Sequence, residues 1–358
     1  MSIGASDKPF DVTVVGAGAV GSAVALALAR RGVAVTLVEA QPEPGLSASG
    51  TNSGILHTGF DSVPGALETS LILRAAALRD AVLETLGVPV MRCGAVMRGD
   101  GVGAWAANAE RNGVEVRMTG DFVVEVPGEA VTNPVAYTLA LAAAAERHGA
   151  RLFTGAPFKS VDDGSLVVNC AGLYADSVAR AFGDASFSIY PRKGEFLVFD
   201  PPEPLERILL PLPAKGTKGV LVFPTVDGHV VAGPTAVDGE DKEDWSVRAE
   251  ARDELLPKAV AMWPALERCE PVAAYAGLRP AGRDGANYVI GRSAVAPERL
   301  VNVAAIRSTG LTASLGIAEH VCEIVLGTPL PEAAPLRGAD APVVAGEWWR
   351  RTAAVYAA

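Results

Sequence analysis

At 358 residues, 49% of them hydrophobic, with a mean hydropathy of +0.26, the chain is long enough to bury a sizeable core and to form two domains. Its formal net charge of −10 comes from interspersed acids and bases, which argues against a nucleic-acid surface and requires any anion site to be local. No run of about 18 apolar residues is free of glycine or charge, so no transmembrane segment is expected. The start MSIGASDKPF has no basic stretch leading into an apolar core, and Cys93, Cys170, Cys269 and Cys322 lack C-x-x-C spacing; the expectation is a cytoplasmic protein with free thiols and no metal site.

Asp11 to Glu39, DVTVVGAGAVGSAVALALARRGVAVTLVE, reads as strand, tight turn, helix and second strand ending in an acid. Val12 to Val15 supply the strand and Val20 to Arg30 the helix. Gly16, Gly18 and Gly21 form G-x-G-x-x-G: the first makes the turn, the second admits a pyrophosphate, the third allows close packing of helix on strand. The phosphates are expected at the helix N-terminus, where unpaired N–H groups and the helix dipole favour anions. Glu39 stands where a carboxylate accepts hydrogen bonds from a ribose, and an acid there disfavours a 2′-phosphate.

Further along, Leu67 to Leu86 has helical periodicity, and VPVMRCGAVMRG reads as a pair of strands. Asn133 caps a helix from Val135 to His148 that Gly149 stops. Ser165 to Gly172 is a buried parallel strand whose end approaches the nucleotide, followed by a helix from Tyr174 to Phe182. From Lys193 to Thr235 the pattern alternates, with Asp227-Gly228 as a hairpin turn, so this block is expected as antiparallel sheet. A helix over Ser246 to Met262, strands over Val272 to Leu278 and Leu300 to Ala305, and a helix over Gly310 to Leu326 opened by Ser308 and Thr309 complete the pattern. The tail beyond Thr328 is rich in proline and alanine. Its Trp348-Trp349-Arg350-Arg351 stretch is the one hint of a membrane-docking patch, although packing on the main body is the preferred use.

These segments, together with TNSGILHTGF at 51–60, VVNCAGLYAD at 167–176, PRKGEFLVFD at 191–200, GVLVFPTVDGHVVAGPTA at 219–236, AGLRPAG at 276–282 and IRSTGLTASLGIAEHV at 306–321, carry a resemblance. The chain resembles the FAD-dependent oxidoreductases of the D-amino-acid oxidase superfamily, in the branch of L-2-hydroxyglutarate dehydrogenase and glycerol-3-phosphate dehydrogenase. The resemblance implies an α/β (α+β) fold: a discontinuous Rossmann-like FAD-binding domain (1–85, 145–190 and 277–330), an inserted antiparallel-sheet substrate domain (86–144 and 191–276) and a C-terminal tail (331–358). It implies FAD as cofactor and oxidation of a C–H bond bearing a hydroxyl or amino group. It carries cofactor binding onto Gly16, Gly18, Ala19, Val20, Gly21, Glu39, Ala40, Thr51, Asn52, Ser53, Gly54, Ala171, Gly172, Arg307, Ser308, Thr309, Gly310, Leu311 and Thr312. Residues 307–311, between a buried strand and the last long helix, suit the negative charge that develops at flavin N1 and C2=O on reduction.

Among four histidines, His148 ends a helix, His229 lies in a hairpin and His320 sits inside the last helix, which leaves His57 as general base or substrate-positioning group. A histidine that only hydrogen-bonds flavin or backbone is the alternative. Arg279, read as following a strand and preceding a proline, would clamp an anion with two parallel hydrogen bonds. One of Lys193 and Glu195 is expected to line the substrate cavity, and Lys215 and Lys218 to flank a loop that attracts anions. The function expected is oxidation of a small hydroxylated anion by hydride transfer to flavin N5. An amine oxidase and a non-catalytic flavin subunit are the alternatives. The anaerobic glycerol-3-phosphate dehydrogenases carry a cysteine-rich C-terminal domain with no counterpart in this sequence, so the acceptor stays open among oxygen, a quinone and a partner flavoprotein, and peripheral membrane attachment stays open with it.

Overall fold

A computed structural model describes residues 11–160, 165–212, 219–340 and 342–356. Asp11–Val15 is a strand, Gly16 turns the chain with φ +97°, and helix α1 (Ala19–Ala29) leads back to the strand Ala34–Val38. A β-carbon on Gly21 would lie 1.9 Å from the carbonyl oxygen of Gly16, so helix and turn meet at a distance only glycine permits.

These two strands centre a six-stranded sheet, ordered Val289–Arg292, Leu300–Ala304, Leu166–Asn169, Asp11–Val15, Ala34–Val38 and Arg151–Phe153. All neighbours are parallel except the outermost Val289–Arg292 and Leu300–Ala304 pair. Helices α2 (Leu67–Thr85), α4 (Pro134–Arg147) and α7 (Gly310–Leu326) join α1 in one large apolar core with Val12, Val14 and Leu37. The Asn133 side chain accepts the amides of Val135 and Ala136, as its position before Pro134 predicts. Short helix α5 (Ala175–Ala181) packs with Val15, Val167 and Leu300 in a separate cluster. By length and composition Arg307–Leu326 is apolar enough to cross a membrane, yet it packs against both α1 and α2 as a core helix.

A second, nine-stranded sheet is mostly antiparallel. Its spine is Ile189–Phe199, paired over ten residues with Ala273–Gly282 and flanked by Val230–Gly233 and Val237–Asp238, with Leu221–Pro224 next beyond Val230–Gly233. One parallel contact, Ile208–Leu210 on Ala95–Arg98, joins it to the strands at 117–126. Helix α3 (Val102–Arg111) packs near that end, and helix α6 (Ala251–Met262) covers part of the sheet through Leu255 and Ala259.

Three sequence expectations shift. The two strands of VPVMRCGAVMRG do not pair: Val90–Met91 joins a small sheet with Ile55–Leu56 and Ala130–Thr132, and Ala95–Arg98 joins the large one. Helix α6 begins at Ala251 rather than Ser246, because the carbonyl of Ser246 accepts from Lys193 and the amide of Arg248 donates to Glu195, tying that backbone to the sheet. The strand expected to end at Leu278 runs to Gly282 and contains Arg279; Pro280 is tolerated because it faces Pro191 across a non-hydrogen-bonded pair, where the Pro191 carbonyl turns away to accept from Gly239 and no bond between the two strands is lost. In the tail, Trp348 and Trp349 are buried beside Tyr275 and ahead of the short helix α8 (Arg351–Tyr356), which removes them from any membrane-docking role. Lys215 and Lys218 lie outside the described residues.

Candidate active site

The glycine-rich turn opens onto a cavity of about 530 Å³ lined by Gly16, Gly18, Val20, Gly21, Glu39, Ala40, Ala171, Gly172, Gly310 and Leu311. The three glycines of the turn are there for space: a β-carbon on Gly16 would approach the Cys170 carbonyl to 2.5 Å, and one on Gly18 the Ser49 hydroxyl to 2.9 Å. Glu39 closes the wall at the end of its strand, accepting the amides of Ala17 (2.7 Å) and Gln41 (3.0 Å). Burial raises its pKa above the ordinary value, partly offset by those two bonds. Ala19 does not line the cavity; its amide donates to Ser49 Oγ at 2.9 Å. Ser47, Ser49, Phe158 and Tyr356 line it without having been singled out in the sequence. Tyr356 arrives from the tail, accepting from Gln41 Nε2 at 2.9 Å and lying 5.1 Å from the Trp245 ring.

A second cavity, about 790 Å³, shares Ala48, Asn52 and Arg307 with the first. Asn52 bridges the two segments that meet there: its amide donates to the Ser308 carbonyl at 3.2 Å and its oxygen accepts from Gly54. Arg307, Ser308 and Thr309 form a tight turn before α7, with Ala305 (φ 54°) and Arg307 (φ 55°) in the left-handed region. Thr309 does not cap α7 with its side chain. Instead its hydroxyl donates to Glu68 and bonds Tyr288, while Arg307 pairs with the same Glu68 at 3.1 Å. The first amides of α7 are thus left without a side-chain acceptor.

Thr51, Ser53 and His57 line the second cavity; Gly54 and Thr312 line neither. Gly54 (φ +75°) is needed because a β-carbon would meet the Thr132 carbonyl at 2.2 Å. Thr312 holds the His57 strand, accepting the His57 amide at 3.2 Å and donating to the Ile55 carbonyl at 3.0 Å. The His57 ring turns its Nδ1 to Glu129 Oε2 at 3.0 Å, which leaves Nε2 free of that carboxylate.

Arg279 projects into this cavity from its strand. Its Nε donates to the Arg192 carbonyl (3.1 Å) and its Nη2 to those of Lys193 (3.0 Å) and Thr235 (2.7 Å), whereas Nη1 has no acceptor among the described residues. Gly194 makes the seat, since a β-carbon there would lie 2.6 Å from Nη2. Burial, with Arg192 adding repulsion, lowers the Arg279 pKa to about 10, so the guanidinium stays charged at neutral pH. Arg192, Arg283 and Arg307 also line the cavity, paired with Asp238, Glu240 and Glu68 respectively.

The expectation for Lys193 and Glu195 is not met, because neither lines either of these two cavities. Side chains alternate along Ile189–Phe199, so Arg192 and Phe196 face the cavity while Lys193 and Glu195 point the other way. There Lys193 Nζ pairs with Asp244 (2.6 Å), and the fully buried Glu195 accepts from Arg248 (2.7 Å) and Thr235 (2.8 Å). Glu129 and Glu68 were missed altogether. Each acts from a segment remote in sequence from its partner, and only the fold brings them together.

The family model described as FAD dependent oxidoreductase matches residues 11–324 of this chain. A glycerol 3-phosphate dehydrogenase of Caloramator mitchellensis is 27% identical over 355 residues, covering 88% of this chain and 74% of that protein. An L-2-hydroxyglutarate dehydrogenase of Escherichia coli is 23% identical over 284 residues, covering 66% of this chain and 67% of that protein. Among solved structures, the dithionite-reduced L-α-glycerophosphate oxidase of Mycoplasma pneumoniae with FAD bound is similar in fold, with a TM-score of 0.83 at 23% identity over 94% of this chain and all of that one. The glycine cradle, the Glu39 carboxylate in the cavity wall and the match over most of the sequence agree, and the chain belongs to the FAD-dependent oxidoreductases.

Proposed function

We propose that this enzyme oxidises a small hydroxylated anion, a 2-hydroxy acid or a polyol phosphate such as glycerol 3-phosphate, at a flavin held where the two cavities meet. The observation that carries the reading is that Arg279, with Nη1 lacking an acceptor among the described residues, and His57 line one cavity, whose wall at Ala48, Asn52 and Arg307 is also the wall of the nucleotide cavity. The residues present fit FAD: the glycines admit a pyrophosphate, Glu39 faces the nucleotide cavity, and the uncapped start of α7 offers N–H donors to charge on a reduced ring. Bound there, FAD supplies the two-electron acceptor for hydride transfer to N5.

Arg279 holds the substrate anion and orients its hydroxyl-bearing carbon. His57 accepts the hydroxyl proton at Nε2 as the carbonyl forms. The relatives named for glycerol 3-phosphate and L-2-hydroxyglutarate support a hydroxylated anion. Free cysteines throughout, with no disulfide among the described residues, support a reducing compartment and hence a cytoplasmic location. The test is anaerobic bleaching of the purified flavoprotein by hydroxy acids, glycerol 3-phosphate and amino acids, repeated in air. Bleaching by hydroxylated anions is expected, and reoxidation in air distinguishes oxygen from a quinone or partner flavoprotein as acceptor. A response to amino acids alone would assign amine oxidation instead.

A further inference from the structure

Glu129 is fully buried, in the short turn between Val123–Val126 and Ala130–Thr132, and it accepts three hydrogen bonds. Its Oε1 takes both donors of Thr58, the amide at 2.6 Å and the hydroxyl at 2.9 Å. Its Oε2 is left for His57 Nδ1 at 3.0 Å. An ionised carboxylate is an acceptor only, so a group surrounded in this way holds the histidine with the proton on Nδ1 and the lone pair on Nε2. Backbone bonds lock the pair. Arg79 of α2 donates to the carbonyls of His57 (3.0 Å) and Gly128 (3.3 Å), on either side of the contact, and the His57 amide is held by Thr312 of α7.

From this geometry we infer that Glu129 is the positioning residue for the base: it fixes the Nδ1–H tautomer of His57 and aims Nε2 at the substrate hydroxyl. The inference rests on the proposed role of His57. In the step it serves, the substrate O–H proton passes to Nε2, the hydride leaves the same carbon for flavin N5, and the C–O bond becomes C=O; the imidazolium so formed is stabilised by the carboxylate behind it. Among the described residues, the other charged or titratable groups facing the pair are Arg79 from α2 and Cys93 ahead of Ala95–Arg98, with Tyr137 of α4 facing Arg79. None of them offers a second acceptor to Nδ1.

Glu129→Gln inverts the arrangement. The amide oxygen still satisfies Thr58, but its NH₂ group now faces Nδ1, which must accept, so the ring proton moves to Nε2. The rate constant of anaerobic flavin reduction at saturating substrate is expected to fall about 10²- to 10⁴-fold, with substrate affinity and flavin content retained. Glu129→Asp, which keeps the charge at a longer reach, should lose less.

A readout independent of turnover is the ring tautomer of His57, observed by proton and nitrogen NMR: an Nδ1–H resonance in the wild type, absent from Glu129→Gln. Should Glu129→Gln fail to fold, the wild-type resonance and Glu129→Asp still decide. A wild-type ring protonated on Nε2 alone, or a Glu129→Gln enzyme with an unaltered reduction rate, overturns the inference. His57→Asn separates the two layers: if it reduces flavin normally, the base assignment itself fails, whereas an impaired His57→Asn beside an intact Glu129→Gln removes only the role of Glu129.

Discussion

The two cavities are built from different materials. The nucleotide end is largely backbone: three glycines, the start of α1 and one carboxylate whose oxygens are taken by amides of its own neighbourhood. The proposed substrate end is side chain, with Arg279 seated on carbonyls of the neighbouring strand and of Thr235 in the connection after Val230–Gly233, and His57 backed by a carboxylate far along the chain. A backbone site tolerates change wherever the backbone path is kept and fails abruptly where it is not. A side-chain site should fail residue by residue, in proportion to the charge or hydrogen bond removed.

Four measurements sharpen or break that contrast. The largest effect is expected from Arg279→Met, which removes the charge aimed at the anion: kcat/KM should drop about 10³-fold, with most of the loss in KM and the flavin still bound. Equal loss of flavin would make Arg279 structural. Next, Gly21→Ala forces a β-carbon against the Gly16 carbonyl, and FAD affinity measured by reconstitution should weaken about 10²-fold, with thermal stability falling alongside. An alanine variant that takes up FAD as the wild type does would mean the turn relaxes freely.

Behind the substrate wall, Glu195→Gln should lower stability to urea by about 2 kcal/mol, less than a fully enclosed pair would because Arg248 is partly solvated. The Glu195 carboxyl is buried, which raises its pKa, but Arg248 and Thr235 more than reverse this and hold it below 4.5. A depressed folded pKa gives stability that is present above the unfolded value and lost as pH falls through the folded one. The wild type should therefore lose this contribution in acid, below about pH 4.5, and the glutamine variant should have none to lose. The smallest effect belongs to Glu39→Gln, about tenfold in FAD dissociation, with the flavin reduction rate of the loaded enzyme unchanged.

The same contrast explains what was legible in the sequence. Gly16, Gly18, Gly21 and Glu39 lie within one strand–helix–strand unit, so local spacing alone located them, and the Asn133 cap was read for the same reason. Arg279 and His57 emerged through motif and residue chemistry and do line one cavity. Lys193 and Glu195 were misread because alternation says that neighbours face opposite ways without saying which way is inward; Arg192, one residue off, faces the cavity. Glu129 carries no local signal. It sits in a turn of the form PGE, where an exposed acid is the ordinary outcome, and its burial depends on a contact 72 residues distant in sequence. Glu68, at the exposed-looking start of α2, was hidden likewise by its pairing with Arg307 and Thr309.

Ala48, Asn52 and Arg307 belong to both cavities, so with a flavin and an anion in place one short stretch of protein would touch two ligands. Thermodynamic reciprocity then applies: whatever factor by which an anion tightens or loosens the hold on flavin, flavin must change the hold on that anion by the same factor. A non-reacting anion titrated into the oxidised protein would measure that factor from either side, and the rate at which colour is lost on dilution would report it without any turnover.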